Sequence, residues 1–449
     1  MQTPDASRPR VAIIGAGWAG LACALKLARA GKQPVVFESA REPGGRARRA
    51  LLHHHWRDNG QHLMLAGCTA LQTLCLAINI RLPQVPFAYT DGTHAFSLVG
   101  QQGRRGLINA LLGADGFSWG DRGRMVAALA LMQLQGWSAP AEQTVADWLR
   151  QQKQPATLVT YFWGPLTLAI LNTPIEKAAM HRLCAVLRDT LGAGSEALAI
   201  LQPATNLSDS IVTPLTQAIE AAGGHIHCGQ RVTAITRAAD GRYRIRRQRA
   251  DGEAEANGKT ETDEGFDHVV LAVPPWALPH IDLPAGLPFN AAALNARFGA
   301  QPIATVYLGF DAHVQLPTPL VQLAGPAPGD ARIWAMDRAH CAEPGVITIS
   351  LSANGPWTAL DHASLADRCL QNLQAAIGLS APCRWQRVVS VKHATPGATT
   401  AARLQPQEQH PLPGLYLTGD WTHPDYPATL EAAVAAGFAT AEKIIAGHA

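Results

Sequence analysis

Residues 11–20 read Val-Ala-Ile-Ile-Gly-Ala-Gly-Trp-Ala-Gly, and the fold class follows from them. An apolar, β-branched run ends in Gly15, Gly17 and Gly20 at G-x-G-x-x-G spacing, and Leu-Ala-Cys-Ala-Leu-Lys-Leu-Ala-Arg-Ala-Gly-Lys continues as a helix. Gly15 permits the tight turn, Gly17 lets a pyrophosphate approach the backbone, and Gly20 lets helix and strand pack closely. Trp18 and Ala19 stand in the same loop. The helix N-terminus presents unpaired N–H groups and a partial positive charge to phosphates. A second strand, Pro-Val-Val-Phe-Glu, ends at Glu38, where an acid accepts hydrogen bonds from an adenosine ribose. Strand, helix, second strand and terminal acid agree, and together they predict dinucleotide binding.

A second glycine turn, Pro43-Gly44-Gly45-Arg46, follows shortly after Glu38. Its backbone amides and guanidinium suit a long ribityl–pyrophosphate tail. In this position the turn resembles the FAD-binding end of the amine oxidase and phytoene desaturase superfamily, which favours FAD over NAD as the held cofactor.

The 449 residues suffice for two connected domains with a large core. Charged residues make up 16% and apolar ones 47%, against roughly 25% charged in an average domain; a large interior or an apolar cavity is one source of that bias, and Ala-rich helices are another. The net charge of +3 is too small and scattered to indicate nucleic acid. No run approaches the roughly 18 apolar residues of a membrane span. The apolar N-terminal run leads into a second strand and is not read as a signal sequence. The eight cysteines show no C-x-x-C or zinc spacing, which suits a reduced, cytoplasmic chain. His53, His54 and His55 are adjacent on a strand and cannot all face one ion, so no metal is expected.

The expected architecture is α/β: a Rossmann-type FAD-binding domain with an inserted α+β substrate domain. Residues 8–85, 201–285 and 406–449 are assigned to a discontinuous FAD-binding domain, and 86–200 and 286–405 to the substrate-binding domain. Within the first, residues 224–237 read as two short strands around a turn, followed by the strand Tyr-Arg-Ile-Arg-Arg, a polar hairpin loop at 251–265, and the buried strand Val-Val-Leu-Ala-Val. A short strand then ends at Gly419 and Asp420, and a last helix begins near Pro427. Residues 105–200 read as helix-rich, whereas 290–400 alternate strands with one helix.

Asp58-Asn59-Gly60-Gln61-His62 follows the short strand His-His-His-Trp-Arg. Asp-Asn-Gly is strong turn chemistry by itself, but Gly60 would also let backbone approach a flat ring, with Gln61 and His62 along its edge. This string resembles the signature of the squalene-associated FAD-dependent desaturases, the hydroxysqualene dehydroxylases. Three further stretches are similar to that family: Phe-Trp-Gly-Pro-Leu-Thr-Leu-Ala-Ile-Leu-Asn-Thr-Pro at 162–174, Val-Val-Leu-Ala-Val-Pro-Pro-Trp-Ala-Leu, and the ending from Leu417 to Gly437, which departs from it at Ala433 and Ala436.

The resemblance implies that Gly419 and Asp420 bind the ribityl and pyrophosphate region. It implies that Thr429, Leu430 and Glu431 aim a helix N-terminus at the flavin pyrimidine carbonyl, and that Val232 offers backbone to adenine. The reaction it implies is reductive removal of an allylic hydroxyl from hydroxysqualene. Tyr161, Phe162 and Trp163 are then candidates for stabilising positive charge, and Asp58 and His62 for donating the proton. A long-chain isoprenoid substrate implies peripheral docking on the inner membrane face, through an apolar patch such as the helices in 105–140 or through a squalene-pathway synthase. Three other readings stay open: an oxidative carotenoid-type desaturase, an amine or protoporphyrinogen oxidase with Lys392 near the flavin, and a scaffold without activity.

Overall fold

The computed structural model describes residues 9–249 and 261–447. A five-stranded parallel sheet carries the strands His225–His227, Gln33–Phe37, Arg10–Ile14, His268–Leu271 and Leu415–Leu417, in that spatial order. Each of its three central strands is a nearly continuous apolar run, as expected where both faces are covered. The helix Trp18–Arg29 lies on one face and is buried along most of its length. The final helix, Leu430–Ile445, covers it in turn. Their contact is close because position 437 is glycine: a Cβ there would lie 2.3 Å from the carbonyl oxygen of Ala19.

The strand pair read from residues 224–237 divides between two sheets. His225–His227 joins the parallel sheet, while Gln230–Arg237 starts an antiparallel sheet with Tyr243–Arg249 and Glu261–Phe266. The polar loop expected at 251–265 lies outside the described residues up to 260. Residues 261–265 are not loop but strand, because they find ladder partners on Tyr243–Arg249.

A second layer is a seven-stranded mixed sheet in the order Trp385–Thr395, Gln301–Gly309, Val346–Ser352, Ile333–Asp337, Leu320–Leu323, Ala88–Thr90 and Ala95–Ser97. Its long central strands pair antiparallel, and the helix His362–Ile377 packs on one side. Against the edge formed by residues 88–97 stand the helices Gly103–Leu112, Trp119–Leu134, Val145–Gln151, Gly164–Leu171 and Met180–Asp189. The five-residue stretch Val159–Trp163 is wound as a π-helix leading into Gly164–Leu171. His53 and His54 form the turn of a hairpin joining Arg49–Leu52 to His55–Asp58, both with positive φ.

Candidate functional site

One cavity of about 960 Å³ runs from the glycine loop of the parallel sheet to the far strands of the seven-stranded sheet. That is near the upper end of the roughly 300–1,000 Å³ usual for small-molecule sites.

The nucleotide end is built by close backbone approach. Gly15 has φ +108°, and a Cβ there would stand 2.7 Å from the carbonyl oxygen of Ala272, on the segment after a neighbouring strand. A Cβ on Gly20 would lie 2.0 Å from the Gly15 oxygen. Gly20 therefore holds helix against loop, and it does not line the cavity, whereas Gly15, Gly17, Trp18 and Ala19 do. The helix that follows has no side-chain cap at Gly17 and no acid in its first turn. Its N-terminal amides are left for a bound anion. The second glycine turn presses against the first: Gly45, at φ +61°, would carry a Cβ 2.9 Å from the Gly17 Cα.

Glu38 is buried at the cavity wall, with one carboxylate oxygen accepting from Ala16 N at 2.8 Å and the other from Ala40 N at 2.8 Å. The oxygen facing Ala40 also accepts from Ser39 Oγ at 3.3 Å, so the oxygen facing Ala16 keeps the further lone pair for a ribose hydroxyl. The buried wall residue Val232 lies next to an irregularity of its strand.

Two motifs separated by most of the chain then meet. Arg46 Nη2 donates to Asp420 Oδ1 at 2.6 Å and Nη1 to the Ala394 carbonyl at 3.0 Å, with the guanidinium over the Trp276 ring at 5.5 Å. Gly419, Asp420, Thr429, Leu430 and Glu431 complete this wall. The last helix starts at Leu430, three residues later than the sequence suggested, because Thr429 caps it by accepting from Ala432 N at 3.2 Å. Glu431 turns away: its carboxylate accepts the Ala70 and Leu71 amides at 2.8 Å each and so caps the helix Thr69–Ala77. Burial pushes its pKa up. The donor set fits FAD: an uncapped helix N-terminus for pyrophosphate, a carboxylate for ribose, a guanidinium, and a second helix N-terminus. Asn59 Oδ1, on the same wall, is buried with no hydrogen-bond partner among the described residues and is available to the bound group.

Residues 58–62 mark the middle of the cavity, but they do not all face it. Gly60, Gln61 and His62 line it; Asp58 does not. The strand His55–Asp58 directs the Asp58 carboxylate into a buried polar cluster. There Oδ1 accepts from Leu207 N at 2.7 Å and Oδ2 pairs with Arg338 at 3.2 Å. Its role as proton donor is thus not supported by its position: both oxygens are already engaged with donors, and the group is sealed from the cavity. His62 Nδ1 lies 3.0 Å from the Gly60 carbonyl oxygen, which only accepts, so the Nδ1 proton is donated there. Nε2 is left for the cavity. Burial lowers the His62 pKa from the usual 6.5, opposed in part by Asp58.

The far end is apolar. One face of the seven-stranded sheet supplies, from centre to edge, Thr305, Ser350, Trp334, Met336, Leu320 and Tyr89. Sequence alternation places such residues on strands but does not say which face meets a cavity, so these wall residues were not legible beforehand. Ser350 Oγ is buried there without a partner among the described residues. Of the three expected aromatics, Tyr161 and Phe162 line the cavity. Trp163 is fully buried in the helical core and donates to Gln154 Oε1 at 3.0 Å. The π-helical winding turns it inward, so it is a packing residue and not part of the wall. Tyr161 already carries the Arg332 guanidinium over its ring at 4.8 Å and the His94 ring at 4.2 Å. Lys392 is exposed and does not line the cavity, although its neighbours Val391 and His393 do.

The family described as flavin containing amine oxidoreductase matches residues 18–445. The chain is 29% identical over 452 residues to hydroxysqualene dehydroxylase of Rhodopseudomonas palustris, covering 97% of this chain and 98% of that protein. It is 22% identical to the chloroplastic/chromoplastic 15-cis-phytoene desaturase of Solanum lycopersicum, covering 99% of this chain and 79% of the other. The structure of cyclohexylamine oxidase from Brevibacterium oxydans superposes with a TM-score of 0.71 at 16% identity, over 98% of this chain and 99% of that one. With a match over nearly its whole length and a cavity whose donors suit the cofactor, the chain belongs to the flavin containing amine oxidoreductases and is an FAD-dependent oxidoreductase.

Proposed function

We propose that this chain catalyses the reductive dehydroxylation of hydroxysqualene to squalene. The observation that carries the reading is a single cavity joining the cofactor loops to an apolar, aromatic-walled end, with a histidine where the two meet. The similarity to hydroxysqualene dehydroxylases over almost the full length supports it. In this reading residues 8–85, 201–285 and 406–449 hold FAD, and 86–200 with 286–405 hold the isoprenoid.

FAD, when bound and reduced, supplies hydride. The chain's own residues bind the hydrocarbon tail against Phe162, Trp334, Met336 and Leu320 and keep water from the reacting carbon. Protonated His62 gives its Nε2 proton to the hydroxyl; the C–O bond breaks, water leaves, and positive charge spreads over the allyl group. Proton and hydride together replace hydroxyl by hydrogen, so the step balances. The unpartnered Ser350 hydroxyl and neighbouring Thr305 offer polar contacts to the departing oxygen. Phe162 and Trp334 are better placed to face the cation than Tyr161, whose ring already carries a guanidinium.

The test is a single anaerobic turnover of the flavin-reduced protein with hydroxysqualene in detergent, with the extract analysed by mass spectrometry. Squalene formed in step with flavin reoxidation supports the reading. Unchanged substrate over a reducible flavin refutes it and favours the oxidative desaturase, the second reading suggested by the phytoene desaturase similarity. An amine oxidase reading loses its lysine, since Lys392 does not line the cavity.

A further inference from the structure

Five of the ten exposed large apolar side chains among the described residues fall between positions 99 and 134: Val99, Ile108, Leu112, Trp119 and Leu134. Trp119 and Leu134 are 75% and 85% exposed. On the helix Trp119–Leu134 the inward face is Met125, Ala128, Leu129 and Met132. The outward face holds Trp119, Gly123, Ala127, Ala130 and Leu134, which share one stripe at helical spacing. A solvent-facing stripe on a helix is normally polar; this one is not.

The charges around it are mostly of one sign. Arg104 and Arg105 are exposed on the adjoining helix Gly103–Leu112 and have no ion-pair or hydrogen-bond partner among the described residues. Arg122 lies over the Trp119 ring at 4.7 Å and donates to the Leu112 carbonyl at 2.9 Å, which ties the apolar ends of the two helices together. The acids near it are Asp115, Asp121, which is engaged in the Ser118 capping box, and Glu196, whose carboxylate accepts from Gly103 N at 2.9 Å. The same helix that presents Ile108 and Leu112 outward turns Leu111 into the cavity wall. One helix therefore separates the apolar end of the cavity from this surface.

We propose that this face docks on an anionic lipid bilayer. The proposal rests on the reading of the cavity as an isoprenoid site and names the phase from which the substrate arrives. Trp and Leu enter the acyl boundary while the arginines stay at the headgroups. No described helix is long and apolar enough to cross a membrane; the proposed contact is one of lying on the surface. A second copy of the chain is a poorer occupant, because it would bring a second set of arginines to the same interface, whereas an anionic surface offsets their charge.

The experiment is flotation of the FAD-loaded full chain with vesicles of equimolar phosphatidylglycerol and phosphatidylcholine, and with phosphatidylcholine alone. The protein is expected to float with the anionic vesicles. Trp119→Ser with Leu134→Ser should lower partitioning at least about tenfold. Arg104→Gln with Arg105→Gln should lower it about fivefold per charge on anionic vesicles only. Both variants should keep wild-type flavin absorbance, melting temperature and turnover in detergent. Wild-type protein that stays unbound, or variants that float like wild type, overturn the proposal. So does a vesicle-free dimer that the Trp119/Leu134 variant abolishes, since the face then belongs to a second copy. Flotation needs no turnover; a protein that floats but leaves hydroxysqualene unchanged in detergent refutes the activity and not the docking.

Discussion

Replacing Gly45 by alanine is expected to weaken FAD binding far more than it weakens the fold. Gly45 has φ +61°, and an added Cβ would sit 2.9 Å from the Gly17 Cα, where ordinary contacts begin at 3.4 Å. Relief requires a displacement of about 0.5 Å between the two glycine turns, and the neighbour is backbone that cannot rotate away. The left-handed conformation itself costs an alanine about 1–2 kcal/mol. Gly31 supplies the control: its φ is +75° but nothing lies within 4 Å of the added Cβ. Both variants thus carry the conformational cost, and only Gly45→Ala moves the loop that receives the pyrophosphate. If one charge-assisted backbone hydrogen bond is lost, about 1.5–3 kcal/mol disappears, or roughly 10- to 150-fold in affinity. The assay is titration of apoprotein with FAD by flavin fluorescence, with apoprotein melting recorded alongside. Comparable melting points with a Kd raised only for Gly45→Ala support the reasoning. Equal Kd values within about twofold would refute it and remove Gly45 from the cofactor site.

His62→Gln should lower single-turnover dehydroxylation by about 10²- to 10⁴-fold with flavin content retained. Because burial lowers the pKa of His62, its acid form predominates only below the usual histidine range. The wild-type rate should rise as pH falls through that lowered pKa, and the variant profile should be flat there. Stability moves the other way. The unfolded chain takes up the His62 proton first, so its contribution to stability is present above the unfolded value and is lost as pH falls; chemical denaturation at several pH values should show this, with a smaller dependence in His62→Gln. Asp58→Asn should destabilise the fold by about 1–3 kcal/mol, because it weakens the pairing of a guanidinium that is 1% exposed. Glu343, also on Arg338, limits that loss, and the single-turnover rate should stay within a few-fold; a loss like that of His62→Gln would restore Asp58 to the chemistry. Arg46→Ala should cost about 1–2 kcal/mol by leaving buried Asp420 unpaired, less than a fully buried pair would because Arg46 is a third exposed. A double-mutant cycle with Asp420→Ala checks it, and additive effects would show that the two do not interact.

The dinucleotide end was legible because its chemistry is local. Gly15, Gly17 and Gly20 must follow one another within a single strand–turn–helix unit, and the acid that ends the second strand lies a fixed distance along the same chain. The apolar runs around residues 269, 303 and 347 likewise announce buried strands, since the period of a strand is written in consecutive residues. What the sequence leaves undetermined is which groups face one another across hundreds of residues. Asp58 and His62 stand four apart in one string, yet one enters a polar cluster with Arg338 and the other reaches the cavity. The direction is decided by strands at 301–309 and 346–352 that close over them. Tyr161, Phe162 and Trp163 are consecutive and chemically alike, but the π-helical turn sends Trp163 into the core. Short-range patterns fix what each segment can be, because backbone sterics and solvation act locally. Tertiary packing decides which side chain meets the cavity, because burial and electrostatic pairing depend on elements that meet only in the folded chain.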